Sequence, residues 1–242
     1  MIEATSARVF TEIEGRAADL TNQFTPGYVP ADDSERLTDA VRATRSLDPM
    51  STVAPPATYY IGEDSQGRRF YSRDSALRLD DGALHTRDGS AILGFPAGTT
   101  GDEPVPLAAD PVDVALGRVG EPHVDASGDV AYTRNAVDPK TAEIKPEQIV
   151  IGRIALARFP AGTQIDAADG VHITAPAGVE PHIGRPGEGD FAKLIAQSTD
   201  QGQIDMFKGL THLRDAYLAF SALQTASHAR NKTDKVSMDL IK

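Results

Sequence analysis

From Ile2 to Phe24 the apolar positions Ile2, Val9, Ile13, Ala17, Leu20 and Phe24 recur at steps of three, four and seven, the spacing of one helix face. The stripe is narrow, and Gly15 inside it costs about 1 kcal/mol relative to Ala. So thin an apolar face makes an isolated helix marginal in water, and the pattern predicts a helix that needs a partner. Thr25-Pro26-Gly27-Tyr28 then ends it, because Pro cannot continue the hydrogen-bond ladder and Gly admits the left-handed backbone of a sharp exit.

Residues 29–57 hold Pro30, Pro49, Pro55 and Pro56 among many Asp, Ser and Thr, and read as a linker. Within it, residues 34–47 form a candidate short helix with Leu37, Val41 and Leu47 on one side. From Thr58 to Thr174 the pattern changes to short apolar runs punctuated by Gly pairs, which predicts a central β domain. Strands are expected near 58–61, 68–72, 76–79, 83–86 and 91–94, with Gln66-Gly67, Asp81-Gly82 and Asp88-Gly89 supplying the turns. Gly128, Tyr132, Thr133 and Arg134 echo the spacing of Gly67, Tyr71, Ser72 and Arg73. The strongest strand is 149–159, where Val150, Ile154 and Leu156 share a face, and the domain closes near residues 171–174. Pro176, Pro181, Pro186 and several glycines mark residues 175–202 as a connector.

After the connector the helical period returns. Met206, Leu210, Leu213, Tyr217 and Phe220 alternate steps of four and three, and the stripe turns polar at Gln224, Ser227, Asn231 and Asp234 before resuming at Met238 and Ile241. The expected fold is therefore α+β, with terminal α-helices forming a helical, coiled-coil domain and a central, mainly antiparallel β domain. Residues 1–28 and 203–242 would be the assembly part, because two individually marginal helices pair with each other or with neighbouring subunits. A core helix packed on the β domain is the competing reading of the 206–220 stripe.

Composition narrows the partners. With 24 basic and 35 acidic residues the formal charge is −11, which disfavours nucleic acid and anionic membrane surfaces. There is no cysteine, so disulfides, thiolate metal sites and thiol nucleophiles are excluded, and with no Trp and 6% aromatic residues the core must be mainly aliphatic. The first twenty residues lack a basic head followed by an apolar run, so no cleaved signal peptide is expected, and no stretch reaches the roughly 20 apolar residues of a membrane span.

The run Asp19-Leu20-Thr21-Asn22-Gln23-Phe24-Thr25-Pro26-Gly27-Tyr28 resembles the end of the amino-terminal helix in the bacterial flagellar rod and hook proteins, N-[LI]-A-N-x-x-T-P-G-[YF], matching at Leu20, Asn22, Thr25, Pro26, Gly27 and Tyr28. Tyr71-Ser72-Arg73, Asp80-Asp81-Gly82-Ala83-Leu84 and Ile92-Leu93-Gly94 are similar, in order, to motifs of that family's first β domain, as are residues 151–159. Met206, Leu210, Leu213, Ala216, Ala219 and Phe220 resemble its carboxy-terminal helix. The first helix is shorter than is usual in the family, and Pro111-Val112-Asp113-Val114-Ala115-Leu116 sits after the hairpin that such a phrase normally precedes. The resemblance implies a non-enzymatic structural subunit of the basal-body rod that polymerises into a tubular axial structure and transmits torque. It implies export by the flagellar type III apparatus without a cleaved signal peptide, partners that are further copies and other rod or hook subunits, and no cofactor. Its assembly residues would be Ile13, Leu20, Asn22, Thr25, Pro26, Gly27 and Tyr28 at one end and Met206, Leu210, Leu213, Tyr217 and Phe220 at the other.

Catalytic signatures are absent from the sequence: there is no G-x-S-x-G, Walker-type phosphate loop, H-E-x-x-H or complete EF-hand loop. The six histidines, at 85, 123, 172, 182, 212 and 228, show no metal-ligand spacing. Asp80-Asp81-Gly82 and Asp88-Gly89 lie between alternating strands, where turn chemistry accounts for them better than calcium does. The alternative from another class is an extracytoplasmic β domain that binds carbohydrate or protein, for which Tyr59, Tyr60, Phe70 and Tyr71 are the aromatic candidates.

Overall fold

Short strands joined by left-handed turns build most of the chain. The structure, a computed structural model, describes residues 2–30, 41–99, 101, 103–137, 144–163, 165–167, 170–202 and 204–239. Helix α1 (Ile2–Thr21) is followed by β1 (Ala43–Arg45), β2 (Thr52–Val53), β3 (Tyr59–Glu63), β4 (Arg69–Ser72), β5 (Arg78–Asp80), β6 (Ala83–His85), β7 (Ala91–Pro96) and β8 (Val105–Pro106). A one-turn helix α2 (Pro111–Ala115) precedes β9 (Pro122–Val124), β10 (Asp129–Val137), β11 (Ile144–Ile154) and β12 (Leu156–Arg158). Then come β13 (Asp166–Ala167), β14 (Ile173–Thr174), β15 (His182–Gly184), β16 (Ile195–Ala196), β17 (Ser198–Asp200) and the long helix α3 (Met206–Asp239).

Among the described residues the chain divides into two compact units, one of residues 2–23, 30 and 204–239, the other of residues 24–29 and 41–202. The second unit is a 13-stranded sheet whose main path runs β13-β14-β4-β3-β7-β11-β10-β9, with two further two-stranded pairs, β1-β17 and β2-β16. All of these pairings are antiparallel.

The sheet carries a core on each face. Tyr60, Leu84, Ile92, Leu107, Tyr132, Ile154 and Leu156 belong to one cluster, while Ile61, Tyr71, Leu93, Phe95, Phe159 and Ile173 belong to the other. Neighbours Tyr60 and Ile61 on β3, and Ile92 and Leu93 on β7, therefore point to opposite cores, as a side-chain period of two requires. Between β5 and β6, Asp81 and Gly82 have φ of 49° and 79°, the pair of left-handed residues that a tight hairpin turn needs.

The echo in the sequence is a repeated hairpin. On β3-β4, Glu63 faces Arg69 and Ile61 faces Tyr71; on β9-β10, Val124 faces Val130 and Pro122 faces Tyr132, the same register. Each turn is set by an aspartate whose Oδ1 accepts two backbone N–H groups: Asp64 from Gln66 and Arg68, Asp125 from Ser127 and Asp129. Each copy then ends on an arginine that reaches a buried aspartate, Arg73 to Asp200 at 2.9 Å and Arg134 to Asp113 at 2.9 Å.

The expected α+β fold with a helical, coiled-coil domain is overturned. The chain is mainly β, with one amino-terminal and one carboxy-terminal helix and no extended coiled-coil-type helical domain among the described residues. The physical reason is the apolar pattern itself: α1 has 20 residues to the 34 of α3, and every residue of α3 from 228 on whose side chain is described is exposed. Segments read as linker and connector also carry strands, since β1 and β2 pair with β17 and β16. Ala43–Arg45 is a strand where a short helix was expected; Leu37 lies outside the described residues, as does Ile241.

Asp113 sits at the hub of a polar network, accepting from the Tyr132 hydroxyl at 2.7 Å and from Arg134 at 2.9 Å, while Arg134 also reaches Glu147 at 2.7 Å. The Tyr132 hydroxyl holds the Asp113 carboxyl below the usual carboxylate range and Arg134 adds to this, against the opposing effect of burial. The Tyr132 hydroxyl in turn is pushed up to about 12, by burial first and by Asp113 next. Asp64 is lowered too, chiefly by the backbone N–H of Arg68, whereas burial raises Asp74 and opposes the trend. A depressed folded value means that the unfolded chain takes up protons first. The stabilisation from Asp113 is then complete above the unfolded value of about 4 and is lost as pH falls through the folded one. Urea unfolding at pH 7 and at pH 3 should show lower stability at pH 3, with a smaller difference in Asp113→Asn. An unchanged difference in that variant would remove Asp113 from the acid sensitivity.

Candidate assembly surface

Helix α3 begins at a capped end: the Asp205 carboxylate accepts from the backbone N–H of Phe207 at 3.1 Å and of Lys208 at 3.2 Å. Two of the four unsatisfied amides of the first turn are thereby met. Replacing Asp205 with Ala should cost about 1 kcal/mol and lower the helical signal at 222 nm in mild denaturant. No change in that signal would show that the cap is dispensable.

Along α1 the least exposed of the described side chains are Ser6, Val9, Ile13, Arg16, Asp19 and Leu20, and along α3 they are Gly209, His212, Leu213, Ala216, Phe220, Leu223 and Ser227; both series recur every three or four residues. Phe10 meets Phe220 with ring centroids 6.0 Å apart, and Arg16 Nη1 donates to His212 Nδ1 at 3.1 Å. Rising numbers on α1 thus match falling numbers on α3, so the pair is antiparallel. Gly209 and Ala216 occupy the seam because small side chains let the two backbones approach.

This seam does not use all the apolar surface. Of the five carboxy-terminal residues singled out in sequence, Leu213 and Phe220 are half-buried in it. Met206, Leu210 and Tyr217 are 41%, 50% and 64% exposed, and with Phe207 at 80% and Leu218 at 60% they form an uncovered apolar face of α3. Sequence periodicity merged two adjacent faces into one, because Gly209 and Ala216 carry too little apolar weight to mark the buried seam.

The amino-terminal candidates separate in the same way. Ile13 and Leu20 lie on the inward stripe of α1, and Asn22 finishes the helix, its Nδ2 donating to the Ala18 carbonyl at 2.9 Å. Thr25, Pro26, Gly27 and Tyr28 belong instead to the β unit. There the Gly27 N–H donates to the Asp200 carbonyl at 3.1 Å, the Tyr28 N–H donates to the Thr25 carbonyl at 3.1 Å, and Tyr28 is 7% exposed. Gly27 has φ of 71°, and a Cβ on it would lie 2.3 Å from the Arg73 carbonyl carbon, so only glycine fits.

Beneath this turn lies a buried ion pair that sequence reasoning missed. Arg73 Nε donates to Asp200 Oδ2 at 2.9 Å, and its other nitrogens donate to the carbonyls of Thr58 and Ala54, both at 3.2 Å. Neither side chain is more than 3% exposed. The guanidinium ties β4, β17 and the loop before β3 together at one point.

Titratable and hydroxyl side chains gather around Asp88. His172 Nε2 lies 3.4 Å from Asp88 Oδ2, but the Ser90 hydroxyl donates to that same carboxylate at 2.7 Å, as does Thr86 to its other oxygen. Against the opposing effect of burial, these hydroxyls help to hold the Asp88 carboxylate below the usual carboxylate range, and it accepts from both of them within the turn between β6 and β7. Among the described residues no three His, Asp or Glu side chains come together as a metal site. No helix among them is long and apolar enough to cross a membrane. Of the aromatics considered for ligand binding, Tyr60, Phe70 and Tyr71 are buried and Tyr59 is half-buried. No protein-family model matches the chain, and no curated protein matches it with significant similarity.

Proposed function

We propose that the protein is a non-enzymatic structural subunit that self-assembles through its terminal helices, of the kind found in the bacterial flagellar rod. The observation that carries this reading is the exposed, largely apolar face of α3, where Met206, Phe207, Leu210, Tyr217 and Leu218 stand around Arg214 on a helix already paired on another side. Large apolar side chains exposed together on one face mark a site of interaction when they exceed what a monomer ordinarily shows. The motif order from Leu20 to Phe220, which resembles the rod and hook proteins, supports the narrower identification. Under it, the partners are further copies and other rod or hook subunits, delivery is by the flagellar type III apparatus to the periplasm-spanning rod, and torque passes through packed subunit contacts.

Immunogold labelling of purified basal bodies, together with motility of a deletion strain, tests the assignment. Label on the rod with loss of motility is expected. Intact, motile basal bodies in the deletion strain would refute a required rod role.

A further inference from the structure

The β unit holds a guanidinium without a counter-charge. Arg185, directly after β15, has its guanidinium carbon 3.9 Å from the centre of the Phe95 ring on β7, which is stacking distance. Its Nη2 donates to the Gly101 carbonyl at 3.2 Å, and no carboxylate among the described residues pairs with it. Ring and carbonyl fix the planar fork in one orientation, so little freedom is lost when it meets a ligand. Arg185 lines a cleft of about 320 Å³ in which Pro96, Ala97 and Val150 supply apolar wall, Val150 being 44% exposed. Gly98 lines it too, and a Cβ there would meet nothing within 4 Å, so the cleft is open to entry on that side. The other arginine of the cleft is already engaged: Arg153 donates from Nε and Nη2 to Asp129 at 2.7 and 3.1 Å and from Nη1 to Glu188 at 2.6 Å. One guanidinium thus stands between two carboxylates. The negative charge left over beside Arg185 opposes a dianion more than a monoanion, and the formal charge of −11 acts in the same direction.

We infer that this cleft binds a small monocarboxylate, with the carboxylate on the unpaired edge of Arg185 and an apolar body against Ala97 and Val150. A guanidinium fork matches a carboxylate through two parallel hydrogen bonds, and the apolar wall favours a ligand with a hydrocarbon part over a bare ion. Every residue involved lies in the β unit, so the inference stands apart from the self-assembly reading. Free small acids and the carboxy end of a peptide share this chemistry.

The Arg185 Nε–H signal in a nitrogen–proton correlation spectrum of the full chain, assigned by its loss in Arg185→Lys, reads binding directly. Butyrate should shift it saturably in the millimolar range and bind more tightly than acetate, which lacks the apolar body. Butylamine, which lacks the carboxylate, should leave it in place, and inorganic phosphate should bind more weakly than butyrate. Acetyl-alanyl-alanine, compared with its carboxamide, separates the two sources: binding tighter than that of butyrate, and lost in the carboxamide, assigns the site to a peptide end, and the reverse order assigns it to a free acid. Followed through the backbone signals of Ala97 and Val150, Arg185→Lys should weaken butyrate binding roughly tenfold or more, since it keeps the charge but loses the fork. Val150→Glu leaves Arg185 in place at a partly exposed wall position. It should abolish the butyrate shift with the melting temperature little changed, and it carries the test even where the lysine variant folds poorly. A response that does not saturate, that butylamine or sodium chloride of equal ionic strength reproduces, or that phosphate exceeds would overturn the inference. So would butyrate binding unchanged in either folded variant.

Discussion

Replacing Arg73 with Ala should destabilise the β unit by about 3–5 kcal/mol, the range for breaking a buried ion pair on one side. The cause is the charge left behind. Asp200 is 1% exposed, and its Oδ1 already has no hydrogen-bond partner, so without the guanidinium a carboxylate would sit in the core with neither water nor a cation. Carbonyls of Ala54 and Thr58 would lose their donor as well. For a chain of this size the melting temperature should fall by about 6–20 °C. Replacing both partners with apolar residues, Arg73→Met with Asp200→Leu, should recover much of the loss, because no orphaned charge remains. Thermal melts of the two single variants and the double variant decide. A double variant as unstable as the sum of the singles would mean that shape, not charge, holds this point.

A second large effect is expected on assembly. Leu210 and Tyr217 lie on the uncovered face of α3, at 50% and 64% exposure, so Leu210→Glu with Tyr217→Glu should change monomer stability by no more than about 0.5 kcal/mol each, as surface changes do. If both sit at the centre of a subunit contact, each should weaken association by about 2 kcal/mol or more, together roughly a thousandfold in the association constant. Light scattering against concentration, with a melt to show that the fold is intact, separates the two effects. Assembly unaffected by the double change would place the contact elsewhere.

Which parts of the chain could be read in advance follows from how local the signal is. The strands of 59–96 were legible because each turn is written in two adjacent residues, Gln66-Gly67, Asp81-Gly82 and Asp88-Gly89. Strands β1, β2, β16 and β17 have two or three residues each. No period can show in so short a run, and Pro-rich surroundings made them look like linker. The core ion pair was illegible for a different reason: Arg73 and Asp200 are 127 positions apart, and nothing in either neighbourhood marks the other. The helices themselves were legible, but the α3 face was read as one stripe where there are two. The seam toward α1 is built partly from Gly209 and Ala216, and the large residues Met206, Leu210 and Tyr217 that dominate the pattern lie beside it, in the open. That displacement left exposed the apolar face on which the proposal of self-assembly rests.

Sedimentation velocity of the full chain over a range from submicromolar to several hundred micromolar tests that assembly directly. Species that grow continuously with concentration, and that shrink back to monomer in Leu210→Glu with Tyr217→Glu, are the expected result. A single monomeric boundary at every concentration in the unaltered protein would contradict it.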